Sequence, residues 1–372
     1  MSETTIQKLG EFGQSVWFDS ISRALIERGR VKELIDLGVS GMTSNPTIFD
    51  KAVSSSSDYD GQICKLQKLG KSTFEIYDDL TVRDIQDAAD IFKPVYDKTN
   101  GLDGYVSLEI NPHLAMKTAE TIEEGRRLCE KVNRPNVMFK VPAADEGFEA
   151  IETLLAEGMN INVTLIFSLE QYEKTAQAFL NGMALLSEKR GDLSRTNSVA
   201  SVFVSRVDTA VDKMIDERVA TESDDAAKKK LLSLRGKAAV ANARLLYQKS
   251  LEIFSRAAFE KLRHNGGRVQ RVLWGSTGTK DPSYSDIKYI EELISKNTVN
   301  TAPERTLEAF LDHGCVQETA TSDPKDAQEV IESLRGVGID IDEVCARLRQ
   351  DGIVAFQKSF DSLLESIRAK AG

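Results

Sequence analysis

Short runs rich in β-branched and aromatic residues alternate along this chain with longer stretches of helical periodicity. The strand candidates are QSVWFDS at 14–20, VSGMTSN at 39–45, GYVSLEI at 104–110 and NVMFKVP at 136–142. NINVTLIF at 160–167, SVASVFV at 198–204, RVLWGST at 271–277 and NTVNTAP at 297–303 complete the series. The segments between them repeat apolar residues at helical spacing. FEAIETLLAEG places Ile151, Leu154 and Leu155 on one face and then stops at Gly158. Eight strands, each followed by a helix, predict parallel βα units. Eight such units in one chain of 372 residues predict a (β/α)8 TIM barrel with additional helices.

The spacing is uneven. About 65 residues separate the second and third strands, and about 70 the sixth and seventh, where a βα unit needs about 30. Helical insertions are therefore expected near 55–100 and 209–262, with a helical C-terminal segment over 304–372. There is no Pro/Gly/Ser linker and no internal repeat, so residues 1–372 read as a single domain.

Within a strand, residues two apart share a face. Met138 and Lys140 point one way, and the apolar Val137, Phe139 and Val141 point the other. Lys140 then faces the barrel interior near the C-terminal end of its strand, where barrel enzymes build their sites. The same alternation puts Asp19 at the end of strand one and Thr43 with Asn45 at the end of strand two. It pairs Ser107 with Glu109 in strand three, Asn162 with Thr164 in strand five, and Ser201 with Phe203 in strand six. A lone inward Ser or Thr is usually structural. An inward Lys, Glu and Asp together are different, because charged groups are rarely buried unless paired or functional. A purely structural Lys140–carboxylate pair is the competing reading.

Composition narrows the function classes. Hydrophobic residues make up 41% and charged residues 28%, ordinary for a globular protein. No apolar run reaches the ~18 residues of a spanning helix, and the polar start MSETTIQKLGEFGQ lacks the form of a secretory signal. A net charge of −10 argues against nucleic acid as a partner. Cys64, Cys129, Cys315 and Cys345 are scattered without metal spacing, which suits reduced thiols in the cytoplasm. His113, His264 and His313 lie far apart, which argues against zinc and against a His-based triad. No metal site is expected.

GQSVWFDSISRALI, GMTSNPTIFDKAV, YVSLEINPHLA and VMFKVPAADEGFEAIETLLAEGMNINVTLIFS together resemble transaldolase, most of all its longer bacterial subfamily. The likeness runs through all eight strand candidates. It implies a cofactor-free enzyme of the pentose phosphate pathway with sugar-phosphate substrates, as a monomer or a homodimer. It puts the Schiff-base lysine on Lys140, the acid–base carboxylates on Asp19 and Glu109, and positioning residues on Thr43, Asn45, Ser107, Asn162 and Thr164. SVFVSR is similar to the strand-six pattern and implies Ser201, Phe203 and Arg206 at the pocket, Arg206 for phosphate and just past the strand, in the loop. Strand seven departs from the shorter subfamily: in WGSTGTKDP the phosphate role is open among Ser276, Thr277 and Lys280.

The chemistry suits these groups. An amine attacks a ketone only when unprotonated; a free lysine titrates at about 10.4, and burial favours the neutral form. Glu109, through a water held by Thr164, would supply the acid for imine formation, and Asp19 the base for C3–C4 cleavage. The resemblance implies transfer of dihydroxyacetone from sedoheptulose 7-phosphate to glyceraldehyde 3-phosphate. One rival is a fructose-6-phosphate aldolase; those relatives are shorter, with glutamine at the Glu109 position and tyrosine at the Phe203 position. The other is a non-catalytic barrel scaffold, which would be expected to lack the lysine or a carboxylate.

Overall fold

In the computed structural model, which describes residues 3–190, 193–321 and 324–371, eight parallel strands close into a barrel in the order β1 to β8. They are β1 (Gln14–Asp19), β2 (Gly41–Thr43), β3 (Val106–Glu109) and β4 (Val137–Pro142). β5 (Ile161–Ile166), β6 (Ser198–Phe203), β7 (Arg271–Gly275) and β8 (Thr298–Ala302) follow. Closure comes from β8 pairing with β1, Thr301 opposite Trp17. The (β/α)8 barrel with extra helices is the expected fold. β2 is shorter than the sequence run because Asn45 leaves the strand to cap the helix Pro46–Ser54, accepting from Ile48 N at 3.0 Å with Pro46 in the first turn.

Alternation separates two apolar regions. The outward Val106, Leu108, Val137, Phe139, Val141, Ile161 and Val163 join the layer between sheet and helices. Inside the barrel, Trp17, Tyr105, Met138, Val199, Leu273 and Val299 form a separate cluster. The Trp17 indole takes so much of this space that a Cβ on Gly41 would meet it at 2.6 Å.

The barrel's lower end is closed by a buried ionic plug. Arg271 pairs with Asp103 at 3.0 Å and donates to Ser15 Oγ at 2.7 Å. Asp103 also accepts from Trp17 Nε1 at 3.0 Å and Ser15 Oγ at 2.7 Å. Removing one partner of such a pair strands the other charge away from water. Asp103→Ala is expected to cost about 3–5 kcal/mol of folding stability, measured by denaturant unfolding. A loss below about 1 kcal/mol, the scale of an exposed pair, would show the plug to be dispensable.

The extra helices are tied down by specific polar contacts. Helix Ser205–Thr221 presents Asp208, which accepts from Ala239 N at 2.7 Å and Tyr289 Oη at 2.8 Å. One turn on, Asp212 accepts from Gly236 N at 2.9 Å and Tyr284 Oη at 2.8 Å. These bonds bind the insertion after β6 to the segment after β7. Burial pushes the Asp208 carboxyl up to about 6.

The C-terminal helix Ile341–Ala371 crosses the barrel's upper end. Ser359 Oγ meets Thr47 Oγ1 at 2.8 Å, and Gln357 Nε2 donates to Pro112 O at 3.2 Å. Gly352 lets it approach: a Cβ there would lie 2.9 Å from Leu165 Cδ2. Leu165 itself has φ of 58° at a register shift between Val163 and Ile166, a bulge that bends β5 just after Thr164. Among the described residues no helix is long and apolar enough to cross a membrane.

Candidate active site

A cavity of about 280 Å³ opens at the C-terminal ends of the strands. Of the residues singled out from the sequence, Asp19, Thr43, Asn45, Lys140, Thr164, Ser201, Phe203, Arg206 and Lys280 line it. Glu109, Ser107 and Asn162 do not. They are 0–5% exposed, covered by the side chains that line it, although Glu109 and Asn162 are level with Lys140 in the sheet register.

Lys140 joins the two groups. Its side chain reaches the cavity while Nζ lies 2.9 Å from Glu109 Oε2 and donates to Ser44 O at 2.9 Å. Strand pairing sets Lys140 beside Glu109 on β3 and Asn162 on β5. Burial raises the Glu109 carboxyl above its usual range, and the adjacent Lys140 charge only partly opposes this. Glu109 Oε1 and Thr164 Oγ1 are both buried without a hydrogen-bond partner. One of these atoms is on the carboxyl paired with the amine and the other is on a residue of the cavity wall.

Running inward from the cavity wall, the polar side chains satisfy one another. Ser201 Oγ donates to Asn162 Oδ1 at 2.6 Å, and Asn162 Nδ2 donates to Ser107 Oγ at 3.1 Å. Asn162 is therefore a strut between β3 and β6 rather than part of the cavity surface.

Asp19 stands on the opposite side of the barrel. Thr43 Oγ1 donates to its Oδ1 at 2.6 Å. Burial raises its carboxyl; the Thr43 bond and the charges of Lys140, Lys280 and Arg206 pull it back down. Arg206 lies in the first turn of helix Ser205–Thr221, not in a loop as the sequence suggested, because the helix begins within two residues of the end of β6. Its guanidinium stacks 5.2 Å from the Phe203 ring centroid.

After β7, Ser276, Thr277 and Lys280 all face the cavity. Thr277 Oγ1 is taken up by Thr301 O at 2.7 Å, and Ser276 Oγ meets Ser205 Oγ at 3.0 Å. Lys280 forms no ion pair among the described residues. The cavity also contains residues the sequence reading missed: Lys51 on helix Pro46–Ser54, Thr301 on β8, and Phe356 on the C-terminal helix. The Phe356 ring centroid lies 5.9 Å from Lys140 Nζ. Thr301 follows the strand alternation already used elsewhere; Phe356 carries no local signal.

The family model for transaldolase/fructose-6-phosphate aldolase matches residues 16–367. The chain belongs to this family. A transaldolase of Saccharopolyspora erythraea is 46% identical over 99% of this chain and 98% of its own length. A transaldolase of Trichodesmium erythraeum is 42% identical over 98% and 96%, and one of Mycobacterium tuberculosis 43% identical over 97% and 95%. The protein is thus a transferase of transaldolase type, acting in sugar-phosphate metabolism.

Proposed function

We propose that this enzyme transfers a dihydroxyacetone unit from sedoheptulose 7-phosphate to glyceraldehyde 3-phosphate, giving erythrose 4-phosphate and fructose 6-phosphate, through a Schiff base on Lys140. The observation that carries this reading is the buried Lys140 amine, 2.9 Å from Glu109, at a cavity that also holds Asp19.

The Lys140 amine adds to the ketose C2 carbonyl. Loss of water from the carbinolamine needs a proton at the departing oxygen. Glu109, held above its usual range by burial, supplies it through a water shared with Thr164. Asp19 as carboxylate takes the C4 hydroxyl proton. The C3–C4 bond then breaks, its electron pair passes to the iminium, and an aldose phosphate leaves. The enamine left on Lys140 attacks the next aldehyde by the same steps in reverse, and water finally releases the ketose.

Phe203 supports transfer over simple cleavage. Its ring packs against Phe167 at 5.5 Å in the cavity wall and offers no hydroxyl to position a water for protonating the enamine. Asn45 Nδ2 and Ser201 orient donor hydroxyls. Arg206, Lys280 and Lys51 form a cationic rim for the phosphate. The four free thiols support a reducing, cytoplasmic setting.

A coupled assay tests the reading. Fructose 6-phosphate is expected to react with erythrose 4-phosphate present and to stall without it. Rapid acceptor-free release of glyceraldehyde 3-phosphate would identify an aldolase instead. Arg206→Ala is expected to raise KM for fructose 6-phosphate about 10–100-fold, the value of one charged hydrogen-bonded contact. Borohydride trapping of unphosphorylated dihydroxyacetone should persist in that variant. An unchanged KM would move the phosphate role to Lys280 or Lys51.

A further inference from the structure

Thr301 has no part in the steps above, yet its hydroxyl lies 2.7 Å from Thr43 Oγ1, which lies 2.6 Å from Asp19 Oδ1. Counting protons fixes the direction of this chain. An ionised carboxylate only accepts, so the single Thr43 hydrogen goes to Asp19. The Thr301 contact then requires the Thr301 hydrogen. The sequence runs Thr301 to Thr43 to Asp19, from β8 through β2 to β1.

The surroundings hold this order. Thr301 and Thr43 are 4% and 3% exposed, so little water can reach their hydroxyls. Thr277 Oγ1 donates to Thr301 O at 2.7 Å and fixes the end of β8. With Oδ1 occupied by Thr43, Oδ2 is the Asp19 oxygen that makes no hydrogen bond among the described residues. The relay thus selects which oxygen receives a proton.

We propose that Thr301 is a positioning residue for the Asp19 base, acting through Thr43 to hold Oδ1 as acceptor and keep Oδ2 as the oxygen that takes the substrate proton. This rests on the reading of Asp19 as the base for C–C cleavage. A hydroxyl that accepts a hydrogen bond donates a stronger one. Loss of the Thr301 hydroxyl therefore weakens the Thr43 bond to the carboxylate and favours the protonated acid. The other groups facing Asp19 are cations: Lys140 from β4, Arg206 from helix Ser205–Thr221 and Lys280 from the segment after β7. Lys51 from helix Pro46–Ser54 lines the same cavity. All of them remain in a Thr301 variant.

The test is the pH profile of kcat with fructose 6-phosphate and erythrose 4-phosphate. Thr301→Val, which keeps the shape and removes the hydroxyl, is expected to move the acid limb up by about 0.3–0.5 pH units. Thr301→Ser should restore it. Thr43→Val, which breaks the bond to the charge itself, should move the limb further, by about 1–2 units. The substrate phosphate titrates alike in every variant, so the differences belong to the protein. The yield of borohydride-trapped adduct on Lys140 should stay at the wild-type level in Thr301→Val. If that variant unfolds, Thr301→Ala serves in its place, with its thermal midpoint recorded on the same preparation. An acid limb that stays put while kcat falls, or a serine variant that fails to restore it, would overturn the relay. A wild-type enzyme that forms no adduct on Lys140 removes the mechanism on which the relay rests, and the relay with it.

Discussion

Lys140→Ala is expected to lose both the borohydride-reducible adduct and the transfer activity, with a fall in rate on the order of 10⁴-fold or more, the scale at which a covalent nucleophile is missed. The cavity offers two other lysines, Lys51 and Lys280, so the site of trapping is a real choice. Both are exposed, and neither forms an ion pair with a carboxyl among the described residues, although the Lys280 charge acts on Asp19. Lys140 alone combines burial with Glu109 at 2.9 Å. Mass spectrometry after reduction with fructose 6-phosphate should place the added mass on the peptide containing Lys140. Adduct on Lys51 or Lys280 would refute the assignment. Folding is a small concern, because a buried carboxyl whose ammonium partner is removed can take up a proton instead of remaining charged.

Asp19→Asn is expected to separate the two halves of the reaction. In the proposed mechanism the imine forms without Asp19, so a trappable adduct should accumulate on Lys140. Cleavage needs a base at the C4 hydroxyl, so turnover should fall about 10²–10⁴-fold. The asparagine carbonyl still accepts from Thr43, which keeps the side chain in place. In the wild type, burial raises the Asp19 carboxyl, and a base works only when ionised. Activity should therefore fail as pH drops through a range above that of an ordinary aspartate. The asparagine variant should lose that acid limb along with its rate. If Asp19→Asn and Glu109→Gln lose adduct to the same extent, the division of labour between the two carboxyls is wrong.

The barrel and most of the side chains singled out around its cavity were legible in the sequence because alternation is a strict geometric rule. Once Val137, Phe139 and Val141 are placed outside, Lys140 has only one way to point. Alternation gives the face of a strand but not the height along the barrel axis, which strand tilt and stagger set. Nor does it tell which inward residues their neighbours cover, and for that reason Glu109, Ser107 and Asn162 read as cavity residues and are buried behind its lining. Arg206 read as a loop residue because nothing local marks how soon its helix begins. Thr301 was within reach of the same rule, since Val299 and Thr301 share a face of β8. Phe356 was not: its place at the cavity depends on how a helix some 200 residues from Lys140 in sequence crosses the barrel.

The position of that helix ties the site to the order of synthesis. β1 is made before β8 and waits for it, its Gln14 pairing with Thr298. Until then the sheet has two open edges, which invite pairing with other chains. Even a closed barrel lacks one wall of its cavity, because Phe356 comes from the 31-residue helix Ile341–Ala371, made after β8. A nascent chain therefore carries Lys140, Glu109 and Asp19 without an enclosed site until that helix has followed β8. The Lys140 amine is enclosed only once helix Ile341–Ala371 has been made and has folded across the mouth.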